Sequence, residues 1–446
     1  MNFFKSRWKI LLAIFSLIIT LFIWQQGLRD SLRRPSVVSE LTIRQEEIQV
    51  LAYPNLPDPV KNIVFTKDPL IGLQDSLKSI EFEKLSERNK LLLAIIEPKE
   101  EYLSSLKNIS FEDSFLNQLK NKINFNDFSK SSLTYSDIND FKKDSLLYKI
   151  ISEKIFNNKT SIYTDHNNIL IRFYLTQFLP IAFLLFGSIL IIYQFWISLF
   201  NKKLLWIIKS DIQLDLVDLI LLIAGGFVVL GELFSPLIIL PLTSKFDLFF
   251  RSSISQSLKI FIGYISMALP ALLILCKQIQ SHSKSSFLDS IQFKFKPLLS
   301  NLIIGIKGWL MVIPPVFLVS ALMNYFIKEQ AGSNPLLEIV LNSNDFIAII
   351  LLLITTMFLA PLFEEIIFRG ALLPVVGEKF GVYIGILITA FTFALAHLSL
   401  GEFPPLFVLG IGLCIVRLSS GNLFPSIVMH SVWNGITFMN LLLLTK

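Results

Sequence analysis

Residues Phe346–Val376 read FIAIILLLITTMFLAPLFEEIIFRGALLPVV, a long apolar stretch that nonetheless contains three charged side chains. A helix needs about 20 apolar residues to cross the roughly 30 Å hydrocarbon core of a bilayer. Each of Glu364, Glu365 and Arg369 would cost about 2.5–3.5 kcal/mol at the centre of such a helix. We therefore expect these charges to be paired, hydrated or used in chemistry.

Helix geometry separates the three charges into a pair and a single carboxylate. Glu365 and Arg369 are four residues apart with the acid first, which is the favourable order for an ion pair along one helix face. Glu364 projects about 100° away from that face. We therefore expect a structural Glu365–Arg369 pair and a Glu364 carboxylate that is available as a general base.

The rest of the chain is also suited to lipid, because 53% of its 446 residues are hydrophobic and only 17% are charged. Nine apolar stretches are candidate spans, although the first and the eighth are short. They are Ile10–Trp24, Phe173–Phe200, Leu216–Leu242, Leu258–Cys276, Leu298–Phe326, Phe346–Val376, Val382–Leu398, Leu406–Leu418 and Phe424–Leu444. The composition predicts an all-α, polytopic transmembrane helical bundle of about seven to nine spans.

One long polar stretch interrupts this pattern and predicts an N-terminal, mostly helical extramembrane domain. We divide the chain into an anchor (1–28), this extramembrane domain (29–168), additional transmembrane helices (169–297) and a C-terminal catalytic-type domain (298–446). Lys and Arg are more frequent in the short loops on one side of the spans, which predicts an inside N-terminus and an outside extramembrane domain.

The net charge of +6 is explained by these loop residues, and no basic run interleaved with aromatic residues lies outside the spans. We therefore expect the lipid bilayer as a partner, and no nucleic acid. The two cysteines are far apart in apolar segments, which argues against a disulfide framework or a cysteine metal site.

A histidine lies in the span that follows the two glutamates. Gly377-Glu378-Lys379-Phe380-Gly381 predicts a turn that joins the two spans as a hairpin. Counted from this turn at about 1.5 Å per residue, Glu364 and His397 lie at depths of roughly 22 and 27 Å. A carboxylate and an imidazole at similar depth can face each other within the membrane.

The last predicted span contains His430 and Asn434, four residues apart on one helix face. Both side chains can donate hydrogen bonds to a developing oxyanion. Spacing alone leaves open whether His430 reaches the depth of His397.

Three motifs on successive helices now carry a family resemblance: Glu364-Glu365-x-x-x-Arg369, Phe393-x-x-x-His397 and His430-x-x-x-Asn434. In this order they resemble the signature motifs of the CPBP family, which comprises type II CAAX prenyl endopeptidases and bacteriocin-processing or self-immunity proteins. The resemblance covers about 100 residues, roughly Phe346–Leu442. It implies a helical intramembrane peptidase with a protein or peptide substrate. In such an enzyme Glu364 and His397 would activate water, and His430 and Asn434 would stabilise the oxyanion.

Two other function classes stay open beside this hypothesis. One is a non-proteolytic membrane scaffold or bacteriocin-immunity factor of the same fold. The other, a transporter, is disfavoured because the charges within the spans are concentrated in one hairpin. No cofactor is required, although Glu364, His397 and His430 are chemically able to bind zinc. A bacterial-type inner or plasma membrane is the expected location.

Overall fold

The computed structural model describes residues 2–33, 37–111, 113–134, 137, 145–156, 166–200, 212–282, 285–326, 339–340 and 345–445. Every regular element in these ranges is a helix. The chain divides into two compact units. The membrane unit comprises Met1–Ser36 and Ile181–Met439, and the small unit comprises Val37–Pro180 and Asn440–Lys446.

The labels used below follow chain order. The α-helices are α1 (Asn2–Ser31), α2 (Val37–Ala52), α3 (Asp58–Val64), α4 (Pro69–Ser79), α5 (Glu87–Ile96), α6 (Glu100–Asn108), α7 (Ser114–Lys122), α8 (Leu146–Phe156), α9 (His166–Phe200), α10 (Leu216–Ile220), α11 (Ser235–Thr243), α12 (Phe246–Phe249), α13 (Ser252–His282), α14 (Phe287–Ser290), α15 (Leu298–Phe326), α16 (Phe346–Ile354), α17 (Ala360–Glu365), α18 (Leu373–Phe380), α19 (Val382–Ala396), α20 (Phe403–Ser420) and α21 (Leu423–Thr445).

Eight helices in the described ranges are long and apolar enough to cross a membrane. They are Arg7–Ser31, Asn167–Leu199, Leu216–Phe249, Ser252–Ser281, Leu298–Met323, Phe346–Phe380, Phe403–Ser420 and Leu423–Leu444. The predicted fold class, an all-α polytopic bundle, is confirmed. The protein is an integral, multi-pass membrane protein.

The set of nine predicted spans needs two corrections. The two stretches that looked short lie in longer helices, Arg7–Ser31 with 25 residues and Phe403–Ser420 with 18 residues. Conversely, the predicted span Val382–Leu398 is reduced to α19, a helix of 15 residues. It is this short because Leu398 adopts a left-handed backbone conformation with a φ of 49°, which a right-handed helix does not accommodate.

In the described ranges, three π-helical segments interrupt the spans, and each ends two residues before a proline. They are Leu221–Phe234 before Pro236, Thr355–Leu359 before Pro361, and Ile366–Leu372 before Pro374. A proline inside a helix has no N–H to donate and its ring clashes with the carbonyl one turn earlier. A wider turn ahead of the ring relieves this clash, and such π-turns are frequent at functional sites. Two of these segments flank α17, which contains Glu364 and Glu365.

The predicted hairpin turn between the catalytic-type spans is confirmed. Helix α18 ends at Phe380, Gly381 has a φ of 94°, and α19 begins at the next residue. Only glycine adopts such a φ without strain. Glycines also bring the helices close together, because a Cβ on Gly385 would lie 2.8 Å from the Cα of Gly377, and one on Gly410 would lie 3.0 Å from the Cα of Ala390. Helix α19 is therefore tightly packed between α18 and α20.

The small unit has its own hydrophobic core, which includes Leu73, Leu91, Leu92 and Ile151. Three of its helices, α4, α5 and α7, begin with side-chain caps of the kind that favours helix initiation. In α5, the Ser86 hydroxyl accepts a hydrogen bond from the Asn89 N–H. The division into four domains that the sequence suggests stays a prediction.

A buried ion pair also lies in the small unit. The two terminal guanidinium nitrogens of Arg88, Nη1 and Nη2, donate to Glu47 at 2.5 and 2.6 Å. Burial raises the pKa of the Glu47 carboxyl, but the charge and hydrogen bonds of Arg88 outweigh this effect and leave that pKa below its ordinary value. The carboxylate therefore stays ionised inside the core.

Candidate active site

The ion pair expected between Glu365 and Arg369 is present, and both side chains are fully buried. Arg369 Nη1 donates a hydrogen bond of 2.8 Å to Glu365 Oε1. Arg369 Nη2 donates to the backbone carbonyl of Gly410 at 3.2 Å, and the guanidinium carbon lies 4.4 Å from the centre of the Phe393 ring. The Arg369 charge is thus shared by a carboxylate, a carbonyl and the face of an aromatic ring.

Glu365 accepts hydrogen bonds from two further side chains of the last helix, α21. His430 Nδ1 lies 2.9 Å from Glu365 Oε1, and the Ser426 hydroxyl donates to Glu365 Oε2. A carboxylate has about four acceptor positions, so donors from Arg369, His430 and Ser426 use most of them. Glu365 therefore joins the helix that contains both glutamates to α21.

Glu364 has a different environment. Its Oε1 accepts a hydrogen bond of 3.0 Å from the Tyr264 hydroxyl of α13. Its Oε2 is buried, has no hydrogen-bond partner among the described residues, and lies 3.8 Å from His430 Nε2. The side chain is 15% exposed, whereas Glu365 is fully buried. Glu364 thus keeps one carboxylate oxygen available for a reactant.

His430 lies between the two glutamates, and its contacts indicate its tautomer. A carboxylate can only accept at Glu365 Oε1, so Nδ1 bears the proton. The Nε2 atom, which faces Glu364, then has a lone pair in the neutral ring and an N–H in the imidazolium. Spacing left open how deep His430 lies in the membrane. In the structure, His430 lies beside both glutamates.

His397 lies directly after the last residue of α19. Its Nδ1 is 2.8 Å from the carbonyl oxygen of Phe393, so Nδ1 donates and Nε2 is directed elsewhere. The Phe393 ring has edge contacts with both imidazoles, at 4.8 Å from His397 and 5.6 Å from His430 between ring centres. No hydrogen bond joins Glu364 to His397 in the part of the chain that the structure describes. The neighbour of Glu364 is His430.

Helix α1 holds the turn that follows His397. The Ser31 hydroxyl accepts a hydrogen bond of 3.1 Å from the Leu400 N–H. A Cβ on Gly27 would lie 2.7 Å from the Leu398 side chain, so glycine allows this close approach. The first helix of the chain thus supports the turn beside a predicted site residue.

Asn434 lies one turn after His430 on α21. Its amide nitrogen donates a hydrogen bond of 2.9 Å to the Thr356 carbonyl, in the π-helical segment Thr355–Leu359. A primary amide carries two N–H groups, so the second is left for another acceptor.

The described residues do not form a metal site. Among these residues, no three His, Cys, Asp or Glu side chains lie close enough together to bind one metal ion. Glu364 Oε2 and His430 Nε2 do face each other, and a histidine whose other nitrogen binds a carboxylate is a common metal ligand. A catalytic zinc site has three protein ligands, and this pair supplies only two of them.

Two residues of the site were not predicted from the sequence, Tyr264 and Ser426. Ser426 could have been found, because Ser426, His430 and Asn434 follow each other at intervals of four residues and so share a helix face. Tyr264 had no such signal, since it lies 100 residues from Glu364 in a different span.

Comparisons with known proteins match two segments of the chain. Residues 346–436 match the family model described as type II CAAX prenyl endopeptidase Rce1-like, and residues 38–168 match a domain of unknown function. An uncharacterized 24.3 kDa protein of Escherichia coli is 37% identical over 90 residues, which represent 18% of this chain and 40% of that protein. The chain thus spans less than half of the length of this curated relative. No solved structure matches the chain.

The matched segment contains Glu364, Glu365, His397 and His430. This match supports the assignment of residues 346–436 to the CPBP family of CAAX-type proteases.

Proposed function

We propose that the protein is an intramembrane endopeptidase that hydrolyses a peptide bond of a membrane-associated substrate. One observation carries this proposal: the Glu364 carboxylate lies within an apolar span, with one oxygen hydrogen-bonded and the other buried without a partner among the described residues. An acceptor oxygen in a site of low water content is a suitable general base.

In the proposed reaction, Glu364 Oε2 takes a proton from a water molecule that His397 Nε2 helps to orient. The resulting hydroxide attacks the carbonyl carbon of the substrate, and the negative charge moves to the carbonyl oxygen. When the C–N bond of this tetrahedral intermediate breaks, the leaving nitrogen takes the proton from Glu364. No covalent enzyme intermediate is formed, and one water molecule is consumed for each bond that is cleaved.

His430 and Asn434 are the proposed donors to the oxyanion. Because His430 Nδ1 already donates to Glu365, the ring can donate through Nε2 only as the imidazolium. Asn434 can use the amide N–H that does not bind Thr356. Donors that are oriented before the reaction stabilise a transition state more effectively than water does, because they need no reorganisation.

A non-proteolytic scaffold or immunity factor of the same fold is the alternative, and one experiment separates the two. Membrane vesicles from the host are incubated with the purified wild type, Glu364→Gln or Glu232→Gln, and new protein N-termini are identified by mass spectrometry. Glu232 is a matched control because it is another partly buried carboxylate in an apolar span. We expect new N-termini with the wild type and with Glu232→Gln, and none with Glu364→Gln.

If the wild type and Glu364→Gln give the same N-termini, the proposed function is wrong. The scaffold alternative predicts this absence of difference. Equal elution of the three proteins as single species in size-exclusion chromatography shows that the comparison concerns folded protein.

A further inference from the structure

Tyr264 contacts the candidate base but lies in α13, outside the family segment 346–436. Its hydroxyl oxygen is 3.0 Å from Glu364 Oε1. A carboxylate can only accept a hydrogen bond, so the Tyr264 hydroxyl is the donor. This is the one hydrogen bond of Glu364 within the described residues.

The Tyr264 ring is itself held by aromatic neighbours. It packs edge-on against Phe363, the residue before Glu364, with ring centres 6.2 Å apart. Phe363 in turn contacts Phe227 at 5.8 Å, so three spans contribute to one aromatic group. Aromatic contacts of this kind favour particular ring orientations. The hydroxyl is therefore presented to Glu364 from a fixed direction.

The two oxygens of Glu364 are distinguished by this contact. Oε1 is occupied by Tyr264, while Oε2 has no hydrogen-bond partner in the described part of the chain and lies 3.8 Å from His430 Nε2. Without Tyr264 the carboxylate could rotate, and either oxygen could turn away from His430.

We propose that Tyr264 is a positioning residue, whose hydroxyl fixes Oε1 of Glu364 so that Oε2 is the atom that exchanges the proton with water. This inference rests on the proposed function and extends the catalytic apparatus beyond the family segment. The Tyr264 hydroxyl also stabilises the ionised form of Glu364, because it donates a hydrogen bond to the charged carboxylate.

Kinetics provide the first test. Tyr264→Phe keeps the ring and removes the hydroxyl. With a peptide that contains a cleavage site found for the wild type, we expect kcat to fall about 10-fold to 100-fold, as for the loss of a hydrogen bond to a charged group, while KM stays within about twofold. Tyr383→Phe is the matched control, because Tyr383 is 77% exposed on α19. An unchanged kcat would refute the positioning role.

Chemical labelling provides a second test that requires no cleavage. Dicyclohexylcarbodiimide is apolar and reacts with protonated carboxylic acids within membranes. We expect Tyr264→Phe to increase the labelling rate of Glu364 at pH 7 by about 10-fold, because the donor to the ionised form is lost. Labelling of Glu232 in the same molecules should not change, which makes this residue an internal control.

The two tests separate the two hypotheses. One outcome is that the wild type cleaves no peptide, while the Tyr264→Phe substitution accelerates the labelling of Glu364 alone. This outcome refutes the endopeptidase function and supports the Tyr264 contact. If the wild type cleaves and neither kcat nor labelling changes in Tyr264→Phe, the inference about Tyr264 is wrong. Both tests use only protein that elutes as a single species.

Discussion

Replacing Glu365 by glutamine should destabilise the membrane unit, whereas the same replacement at Glu364 should not. Glu365 and Arg369 are both fully buried, so Arg369 would lose its carboxylate in a medium without water. Removal of one partner of a buried ion pair costs about 3–5 kcal/mol. Glu364 makes one hydrogen bond with Tyr264, which the amide oxygen of glutamine can still accept.

Two features of the structure reduce the expected loss at Glu365. The glutamine oxygen can accept from Arg369, which restores about 1 kcal/mol. Arg369 also keeps its contacts with the Gly410 carbonyl and the Phe393 ring. We therefore expect Glu365→Gln to lose about 2–4 kcal/mol, and Glu364→Gln to lose at most about 1 kcal/mol.

Thermal unfolding of the purified proteins in one detergent measures this difference, together with the fraction that elutes as a single species. A third variant, Glu365→Gln combined with Arg369→Gln, removes both charges. It should be more stable than Glu365→Gln alone, because the unpaired buried charge is gone.

Equal unfolding temperatures for Glu364→Gln and Glu365→Gln would refute the division between a structural and a reactive carboxylate. A double variant that is no more stable than Glu365→Gln would show that the Arg369 charge is not the cause of the loss.

Three further predictions concern other parts of the chain. With both native cysteines replaced, cysteines at Ser86 and Ser281 should be labelled from opposite sides of the membrane, and labelling from one side would reject the topology. Asn434→Ala should lower turnover about 10²–10³-fold with little change in substrate affinity, and stoichiometric zinc that disappears in His430→Ala would instead indicate a metal ligand. The Lys122 side chain, and then Thr134, lower the pKa of Asp137 from 3.8 to about 2. The ionised Asp137 carboxylate therefore stabilises the fold above pH 3.8, and this stabilisation is lost as the pH falls towards 2. The protection of backbone amides near Lys122 and Thr134 from hydrogen exchange should depend on pH in this range in the wild type, and less so in Asp137→Asn.

Features that depend on neighbouring residues were predictable from the sequence. The four-residue spacing of Glu365 and Arg369 along one helix face indicated their pairing. The glycines Gly377 and Gly381 indicated the turn. Apolar runs of sufficient length indicated the spans. Each of these signals arises within one or two turns of chain.

Features that depend on tertiary packing were not predictable in this way. Residue spacing gives the depth of a residue along a helix, but not the tilt or rotation of that helix. The spacing therefore suggested His397 as the neighbour of Glu364. In the structure, His430 is the histidine that lies 3.8 Å from the Glu364 carboxylate. The contact of Tyr264 with Glu364 and that of Ser31 with Leu400 join segments that are 100 and 369 residues apart. The end of α19 depends on the backbone of a single leucine, for which residue type gave no signal.

The short length of α19 has a consequence for the surrounding lipid. Its 15 residues extend about 22 Å, about 8 Å less than the hydrocarbon core of an ordinary bilayer. Lipid accommodates a short apolar segment by local thinning, at a modest free energy for each ångström of mismatch. His397 follows the end of this helix, so thinning would shorten the distance over which water, the second reactant of hydrolysis, must enter. Turnover should then decrease in vesicles whose acyl chains are longer.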